Sequence, residues 1–398
     1  MKRLVVFSGE YPVLSETFVW REVQSLRTHG IELEVATLRA AQIPAKDVRP
    51  AKWVLFNNGV FGALLDSLFA LVSTPVRSMS LLTFAFKLAV KTSGNLKNKL
   101  KILFQAVCAL GLAKKVLAYK PDWIHCHFAH ASATYAMLVA KYLGIPWSFT
   151  GHANDLFQRR ILLEEKLKNA AGVSCISHWH KEFYTALVPE AEAKMRVVRC
   201  GVDIPEVSFA KDNSCFTIIA VGRLIEKKGF HILLEACREL DDINNLVINI
   251  IGDGPENDRL TALARELPIN IQVNFRGALP HQQILTLVAE SDLFVMPCVD
   301  DKNGDRDGIP VSMMEAMAAG VPVLSGDLPA IRELIEDGVT GWIREAKPSS
   351  IALAIRQIAQ SNHVLKDVAK HAREWVTAEF STSVNTKRLI AMINGDQE

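Results

Sequence analysis

The sequence predicts an α/β protein of two doubly wound parallel sheets, and three observations predict it. Short apolar runs of strand length alternate with helix-period segments from end to end, the rhythm of strand–crossover–strand units. Such runs lie on both sides of a break rich in turn residues, Arg199-Cys-Gly-Val-Asp203-Ile-Pro205, which reads as a linker. The chain has 398 residues, 49% apolar and 22% charged, enough for two cores and unlike a disordered or fibrous protein.

In chain order, the first half offers strands at Leu4–Phe7, Leu33–Thr37, Trp123–Cys126, Trp147–Thr150 and Val173–Ile176, with helices over Phe18–His29, for which Ser15 suits the cap, and Ala131–Leu143. The second half offers Phe216–Val221, Leu246–Ile251, Ile271–Phe275, Leu293–Met296 and Val321–Leu324. After Trp342 the pattern is helical throughout. The expected units are therefore residues 1–200 and 205–375, followed by a C-terminal helix over 376–398 that could pack back across either unit, with a crossing to the first as the assignment made. Seven cysteines without a C-x-x-C pair, several inside strand patterns, read as reduced, buried thiols of a cytosolic protein. The apolar stretch after Met1-Lys-Arg is too short for a secretory leader and reads as the first strand.

A net charge of +2 conceals a division. Residues 1–204 carry 26 Lys/Arg against 15 Asp/Glu, and residues 205–398 carry 19 against 28. No acidic residue occurs from Ser67 to Pro121, where nine basic residues fall among apolar runs such as Leu68-Phe69-Ala70-Leu71. Asp66, Arg77 and Lys87 interrupt those runs, so none reaches the ~18–20 residues that span a bilayer. If 96–117 is one helix, Lys97, Lys101 and Lys115 share one stripe, which suits an anionic membrane surface. A core helix pair with a solvated lysine face is the alternative reading. Nucleic acid is disfavoured, because no aromatic-basic RNA motif accompanies the charge.

The chemistry-bearing residues sit where strands end, the edge at which open parallel sheets bind ligands; two facing sheets would place them in one interdomain cleft. Arg223 and Lys228 follow one strand, and Lys228-Gly229 opens a helix. Two fixed cations there suit the charge developing on a departing diphosphate. Asp307-Gly308-Ile309-Pro310 opens another helix, whose free N–H groups suit phosphate oxygens, and Glu315 lies about two turns along it. That spacing lets one carboxylate meet a sugar and the other a ribose. His152, in Thr150-Gly-His-Ala-Asn-Asp155, follows a strand and suits a sugar hydroxyl, with a strand-end pair to Asp155 as the structural alternative. His125 and His127 hint at a metal, but no third ligand appears nearby in sequence, so neither metal nor cofactor is expected.

From Gly222-Arg223 through Lys228-Gly229, Gly252-Asp-Gly-Pro255, Arg276-Gly277 and Asp307-(seven residues)-Glu315 to Glu336-Asp-Gly338, the chain resembles the retaining glycosyltransferases of family 4, which have two Rossmann-like domains (the GT-B fold). Tyr11-Pro-Val-Leu-Ser15-Glu16-Thr17-Phe18 and His125-Cys-His127-Phe resemble the exopolysaccharide branch of that family, the makers of colanic-acid-like and amylovoran-like polymers. The resemblance implies that Arg223 and Lys228 bind the donor diphosphate, Glu315 the ribose and the loop at Gly277 the base; Gly308, Ile309 and Pro310, at the helix start, complete the expected donor site. It places His152 and Asp307 beside the donor sugar, with Asp307 standing where the family usually has Glu. It gives acceptor recognition to the N-terminal unit, through Ser15, Glu16, Thr17, His127 and Asp155. The function implied is hexose transfer from a nucleotide sugar to a lipid-linked oligosaccharide at the inner face of the cytoplasmic membrane. A nucleotide-sugar epimerase and a non-catalytic sugar-nucleotide binder are the competing readings.

Overall fold

A computed structural model describes residues 3–13, 16–41, 48–92, 95–152, 161–206, 215–243, 245–302, 304 and 306–396. The chain forms two compact units, one of Met1–Arg199 with Asn385–Glu398, the other of Cys200–Val384.

The first unit holds a seven-stranded parallel sheet of β1 (Arg3–Tyr11), β2 (Glu32–Ala40), β3 (Trp53–Val54), β4 (Trp123–His127), β5 (Trp147–Gly151), β6 (Gly172–Cys175) and β7 (Met195–Val197). Its order is β3-β2-β1-β4-β5-β6-β7, so the direction of progression reverses between β1 and β4. The second unit holds six parallel strands: β8 (Phe216–Val221), β9 (Leu246–Ile251), β10 (Ile271–Phe275), β11 (Leu293–Met296), β12 (Val323–Gly326) and β13 (Trp342–Arg344). Their order, β10-β9-β8-β11-β12-β13, reverses between β8 and β11.

Period-two alternation along each central strand feeds two cores. Leu4 and Val6 enter one cluster while Val5 and Phe7 enter another, and all four are fully buried. In the second unit Ile218 and Ala220 face one core, Ile219 and Val221 the other. Burial on both faces is what makes these strands continuous apolar runs rather than alternating ones.

The helices among the described residues of the first unit are α1 (Thr17–Thr28), α2 (Gly59–Ser73), α3 (Pro75–Lys91), α4 (Leu96–Leu117), α5 (Ala131–Leu143), α6 (Leu163–Asn169) and α7 (His178–Leu187). Asn95 caps α4, its side chain accepting from the Asn98 N–H at 3.1 Å. The second unit has α8 (Phe230–Cys237), α9 (Asn257–Ala264), α10 (His281–Ala289), α11 (Val311–Ala318), α12 (Pro348–Ala359) and α13 (Asn362–Phe380), and α14 (Thr382–Asn394) runs into the first.

Four expectations need correction. The N-cap of α1 is Glu16, not Ser15, which lies outside the described residues. Pro310 is the N-cap of α11 rather than its first residue. The lysine stripe on α4 carries less free charge than expected, because Lys115, exposed like Lys97 and Lys101, pairs through its Nζ with Asp66 Oδ2 of α2 at 2.5 Å. The helix expected over 376–398 is broken at Ser381, which is extended and bridges Val202. The Val202 N–H donates to the Phe380 carbonyl and the Thr382 N–H to the Val202 carbonyl, both at 2.9 Å. Beyond the break, Leu389 and Ile393 pack with Leu4, Val6 and Val198, and Asn385 Oδ1 accepts from the Arg199 N–H at 2.8 Å.

The end of β4 is held by a buried cation. Lys166 of α6 is fully buried, and its Nζ donates to the carbonyls of Ala129 (2.6 Å), His130 (2.9 Å) and Ile161 (2.9 Å). Three carbonyls satisfy an ammonium's three protons and fix the turn after β4. Lys166→Met leaves those carbonyls short of a donor, and its expected cost is about 3 kcal/mol, read as a lower urea midpoint with unchanged slope.

Candidate functional sites

In the second unit, the loops after β8 and β11 emerge at the strand-order reversal, where open sheets leave a crevice. Between β8 and α8 a single 3₁₀ turn, Glu226–Lys228, ends at Gly229 with φ +70°. A Cβ on Gly229 would lie 2.0 Å from the Pro297 carbonyl oxygen, so glycine is needed both for the backbone angle and for the approach of the two loops. The Val299 N–H donates to the Lys227 carbonyl at 3.0 Å and ties them.

This contact brings the charges together. Lys228 Nζ lies 3.0 Å from Asp307 Oδ2, Lys227 Nζ lies 3.5 Å from Oδ1, and the Cys298 thiol donates to Oδ2 at 3.7 Å. Both lysines and the aspartate are about 13% exposed. Burial pulls the Lys228 ammonium down, but the Asp307 carboxylate outweighs it and holds the group above its ordinary value. Burial and the Asp307 charge push the Cys298 thiol up, so it stays protonated. Arg223, exposed, makes no ion pair among the described residues, and it is close enough for its charge to be felt at Lys228. Two lysines thus flank one carboxylate, with a third cation, Arg223, close to Lys228. The surplus of positive charge in a half-buried loop junction is suited to a diphosphate.

α11 begins beside this junction. Ser312 Oγ donates to the Val221 carbonyl at 2.9 Å and pins the helix start to the end of β8. Ile309 and Pro310 are buried and Gly308 is half-buried, so the backbone before α11 is held by packing. Further along, Glu315 is 8% exposed, and its Oε1 lies 2.9 Å from Nε2 of His281, the first residue of α10. The loop before α10 carries Gly277 at φ +64°, whose carbonyl accepts from the Gly252 N–H at 2.9 Å. Of this set, His281 and Lys227 went unread in the sequence. Lys227 was visible only as the neighbour of Lys228, and nothing local marks His281, 34 residues from its partner.

The first unit has a second constellation, again at its strand-order reversal. β4 ends in His125 and His127, and α1, which follows β1, supplies Glu22. Glu22 Oε1 lies 3.1 Å from His127 Nε2 and 3.8 Å from His125 Nε2. His125 also bridges Ser148 Oγ (2.8 Å) and Thr150 Oγ1 (3.0 Å). Burial pushes the His125 imidazole down to about 4, with Glu22 opposing. Burial raises the Glu22 carboxyl, but the facing imidazoles outweigh it and keep its pKa below the ordinary value. One ligand atom from each of the three lies within 4.8 Å of the others, so the fold does supply a third donor to the histidine pair, 103 positions upstream of His125. The trio has the donor set for a divalent ion, and the same closeness serves a proton held between Glu22 and His127.

His152 is 7% exposed, with the rings of Phe128 and Phe18 at 4.5 and 4.8 Å and His127 stacked at 5.8 Å. Burial, followed by the neighbouring histidines, drives its pKa well below the usual value, so it acts as a neutral imidazole. Phe128 has φ +69°, a costly angle for a bulky residue, at the tip of β4. Glu16 and Thr17 open α1, half-buried, while Ser15 and Asp155 lie outside the described residues.

Two sequence families match the chain, one described as Glycosyltransferase Family 4 over residues 85–206 and one described as Glycosyl transferases group 1 over residues 206–375. WcaL of Escherichia coli (strain K12), a glycosyltransferase named for colanic acid biosynthesis, is 27% identical over 97% of this chain and 98% of its own. The amylovoran biosynthesis glycosyltransferase AmsK of Erwinia amylovora is 26% identical over 98% and 99%. Among solved structures, Anabaena HepE in complex with UDP superposes with a TM-score of 0.66 at 15% identity, covering 99% of this chain and all of that one. At that identity the likeness speaks to the fold.

Asp307→Asn removes the counter-charge of a largely buried lysine pair. The expected result is a loss of about 3 kcal/mol in stability, visible in chemical denaturation without ligand. An acid limit also follows from His180 of α7, 1% exposed, whose pKa burial lowers to about 3. A depressed histidine stays neutral in the folded chain while the unfolded chain takes up its proton below about pH 6.5, so stability falls as pH drops from there toward 3. At pH 5, His180→Gln is expected to unfold with one proton fewer taken up, giving a shallower dependence of stability on pH.

Proposed function

From the Glycosyltransferase Family 4 and Glycosyl transferases group 1 domains that the chain matches and its relatives in exopolysaccharide synthesis, we propose that it transfers a hexose, with retention, from a nucleoside-diphosphate sugar to a lipid-linked oligosaccharide at the cytoplasmic membrane face. The observation that carries the reading is the pairing of Lys227 and Lys228 with Asp307, with Arg223 close to Lys228, at the β8/β11 reversal. Fixed cations in a poorly solvated site stabilise the charge that grows on a leaving diphosphate, and they do so without reorganising. This makes donor binding independent of a metal.

In the proposed reaction the bond from the anomeric carbon to the diphosphate oxygen breaks, and the acceptor hydroxyl attacks on the same face. The acceptor proton passes to the departing phosphate oxygen, so no base from the chain is required. Arg223 and Lys228 hold the diphosphate, the N–H groups of Gly308 and Ile309 and the start of α11 assist, and Glu315, oriented by His281, takes the ribose hydroxyls. Gly277 offers backbone to the base. Asp307 meets the sugar once the diphosphate takes over its lysines. His152, neutral, offers a hydrogen bond to a sugar hydroxyl, and Glu16, Thr17 and His127 face the acceptor. The UDP in HepE and the GDP-mannose in the name of the mycobacterial phosphatidylinositol mannosyltransferases that match part of the chain support a nucleotide-sugar donor.

Titration of the purified protein with UDP-, GDP- and ADP-sugars, with and without chelator, tests this. Binding of one donor is expected to survive chelator and to weaken about 100-fold or more in Arg223→Ala/Lys228→Ala, the loss of two charge-assisted contacts. Undiminished binding in the double variant overturns the assigned diphosphate site, and loss on chelation overturns metal independence.

A further inference from the structure

Helix α2 is built inside out, and α3 and the first turns of α4 also expose large apolar side chains. α2 buries Ala63, Ser67 and Ala70 and exposes Phe61, Leu65, Leu68, Phe69 and Val72. The small residues let α2 lie close on α4, where a Cβ on Gly111 would come within 2.5 Å of Asp66. The large side chains, which a helix in water normally turns inward, point out. α3 buries Leu81 and Leu88 on one side but leaves Val76, Met79, Phe86 and Val90 exposed on the other, and α4 opens with Leu96, Leu100 and Phe104 exposed. Fourteen of the nineteen exposed large apolar side chains among the described residues fall between Val60 and Phe104, and the first unit has no others. Such a concentration exceeds what a monomer leaves in water without a use for it.

The charges around this face select its occupant. Lys87, Lys91, Lys97 and Lys101 are all exposed, and no acidic residue occurs between Ser67 and Pro121. Asp66, the carboxylate that precedes this stretch in sequence, is engaged by Lys115. An apolar surface edged mainly with cations, Glu165 beside Lys87, Lys91 and Lys168 being the exception, fits an anionic bilayer leaflet. No single described helix is long and apolar enough to cross a membrane, and α2 and α3 meet at a bend of 119°. At about 1.5 Å per residue, neither spans the ~30 Å hydrocarbon core.

We propose that the outward apolar stripes of α2, α3 and the first turns of α4 insert into one leaflet of an anionic membrane, at the boundary between headgroups and acyl chains. Lys87, Lys91, Lys97 and Lys101 meet the headgroup phosphates. This deepens the membrane-side reading above and rests on it, by naming the element that binds and making apolar insertion, rather than a lysine stripe alone, its main source of affinity.

Flotation of the full chain with phosphatidylglycerol-containing and with purely phosphatidylcholine vesicles tests it. Three proteins are compared: wild type, Phe61→Ser/Leu65→Ser/Phe69→Ser, and Lys97→Glu/Lys101→Glu. Wild type is expected to float with anionic vesicles and to resist release by high salt. The triple variant is expected to lose about tenfold or more of its partitioning, and the lysine variant to lose less and become indifferent to lipid charge. Light scattering on the same proteins without lipid reads the competing occupant. A wild-type oligomer that the triple variant converts to monomer, with no flotation by either, would assign the face to a second copy and overturn the proposal. So would flotation by the triple variant equal to wild type. Nucleotide-sugar binding, measured in parallel without vesicles, reports on the donor site separately, so a failure of membrane insertion is distinguishable from a failure of the transferase reading.

Discussion

In a parallel sheet every connection must return over a face, and each right-handed crossover commits its helix to one side. Where the strand order reverses, the two neighbouring connections leave for opposite faces, and the loops at their start are parted. Both sheets reverse once, between β1 and β4 and between β8 and β11. Each constellation of charged or titratable side chains described here is assembled at one of these two places. The reversal brings α1 and the tip of β4 together in the first unit, and in the second it brings the 3₁₀ turn after β8 up to the long loop after β11. Residues distant in sequence meet there because the topology leaves them nowhere else to go.

The two sites use that opening differently. The second unit gathers fixed charge: three cations, one carboxylate, and a glycine contact that forces the loops together. Its polar groups are compensated only in part, a state that favours an anionic ligand and costs stability without one. The first unit gathers neutral imidazoles and aromatic rings. Burial keeps His125 and His152 uncharged, Phe18 and Phe128 wall them in, and Lys166 clamps the turn on which Phe128 holds its unfavourable angle. One site is arranged to hold charge, the other to offer oriented hydrogen bonds in a nearly dry setting.

The central strands were legible because burial on both faces writes them as unbroken apolar runs. β3, β7 and β13 were not: they are edge strands of two or three residues, such as Met-Arg-Val and Trp-Ile-Arg, paired on one side only. α5 could be read to the residue, since Gly144 in the left-handed region stops it. The break at Ser381 could not, because it depends on a bridge to Val202, 179 positions away. Arg223, Lys228, Asp307 and Glu315 stand in local motifs at strand ends, whereas Glu22 and His281 acquire their partners only through topology. The lysines of α4 were visible, but the more telling asymmetry of α2, small side chains in and large ones out, has no signature in composition, since both faces are apolar.

The bridge at Ser381 also bears on biosynthesis. Beyond it the chain supplies Asn385, Leu389 and Ile393 to a core otherwise made from residues 4–198. A ribosome delivers that core first, then the whole of the second unit, and only afterwards the helix that covers Leu4 and Val6. The first unit therefore waits, with one face of its central strand unsealed, through the synthesis of residues 200–384. Helix α14 acts as a late step of folding for the part that was made first.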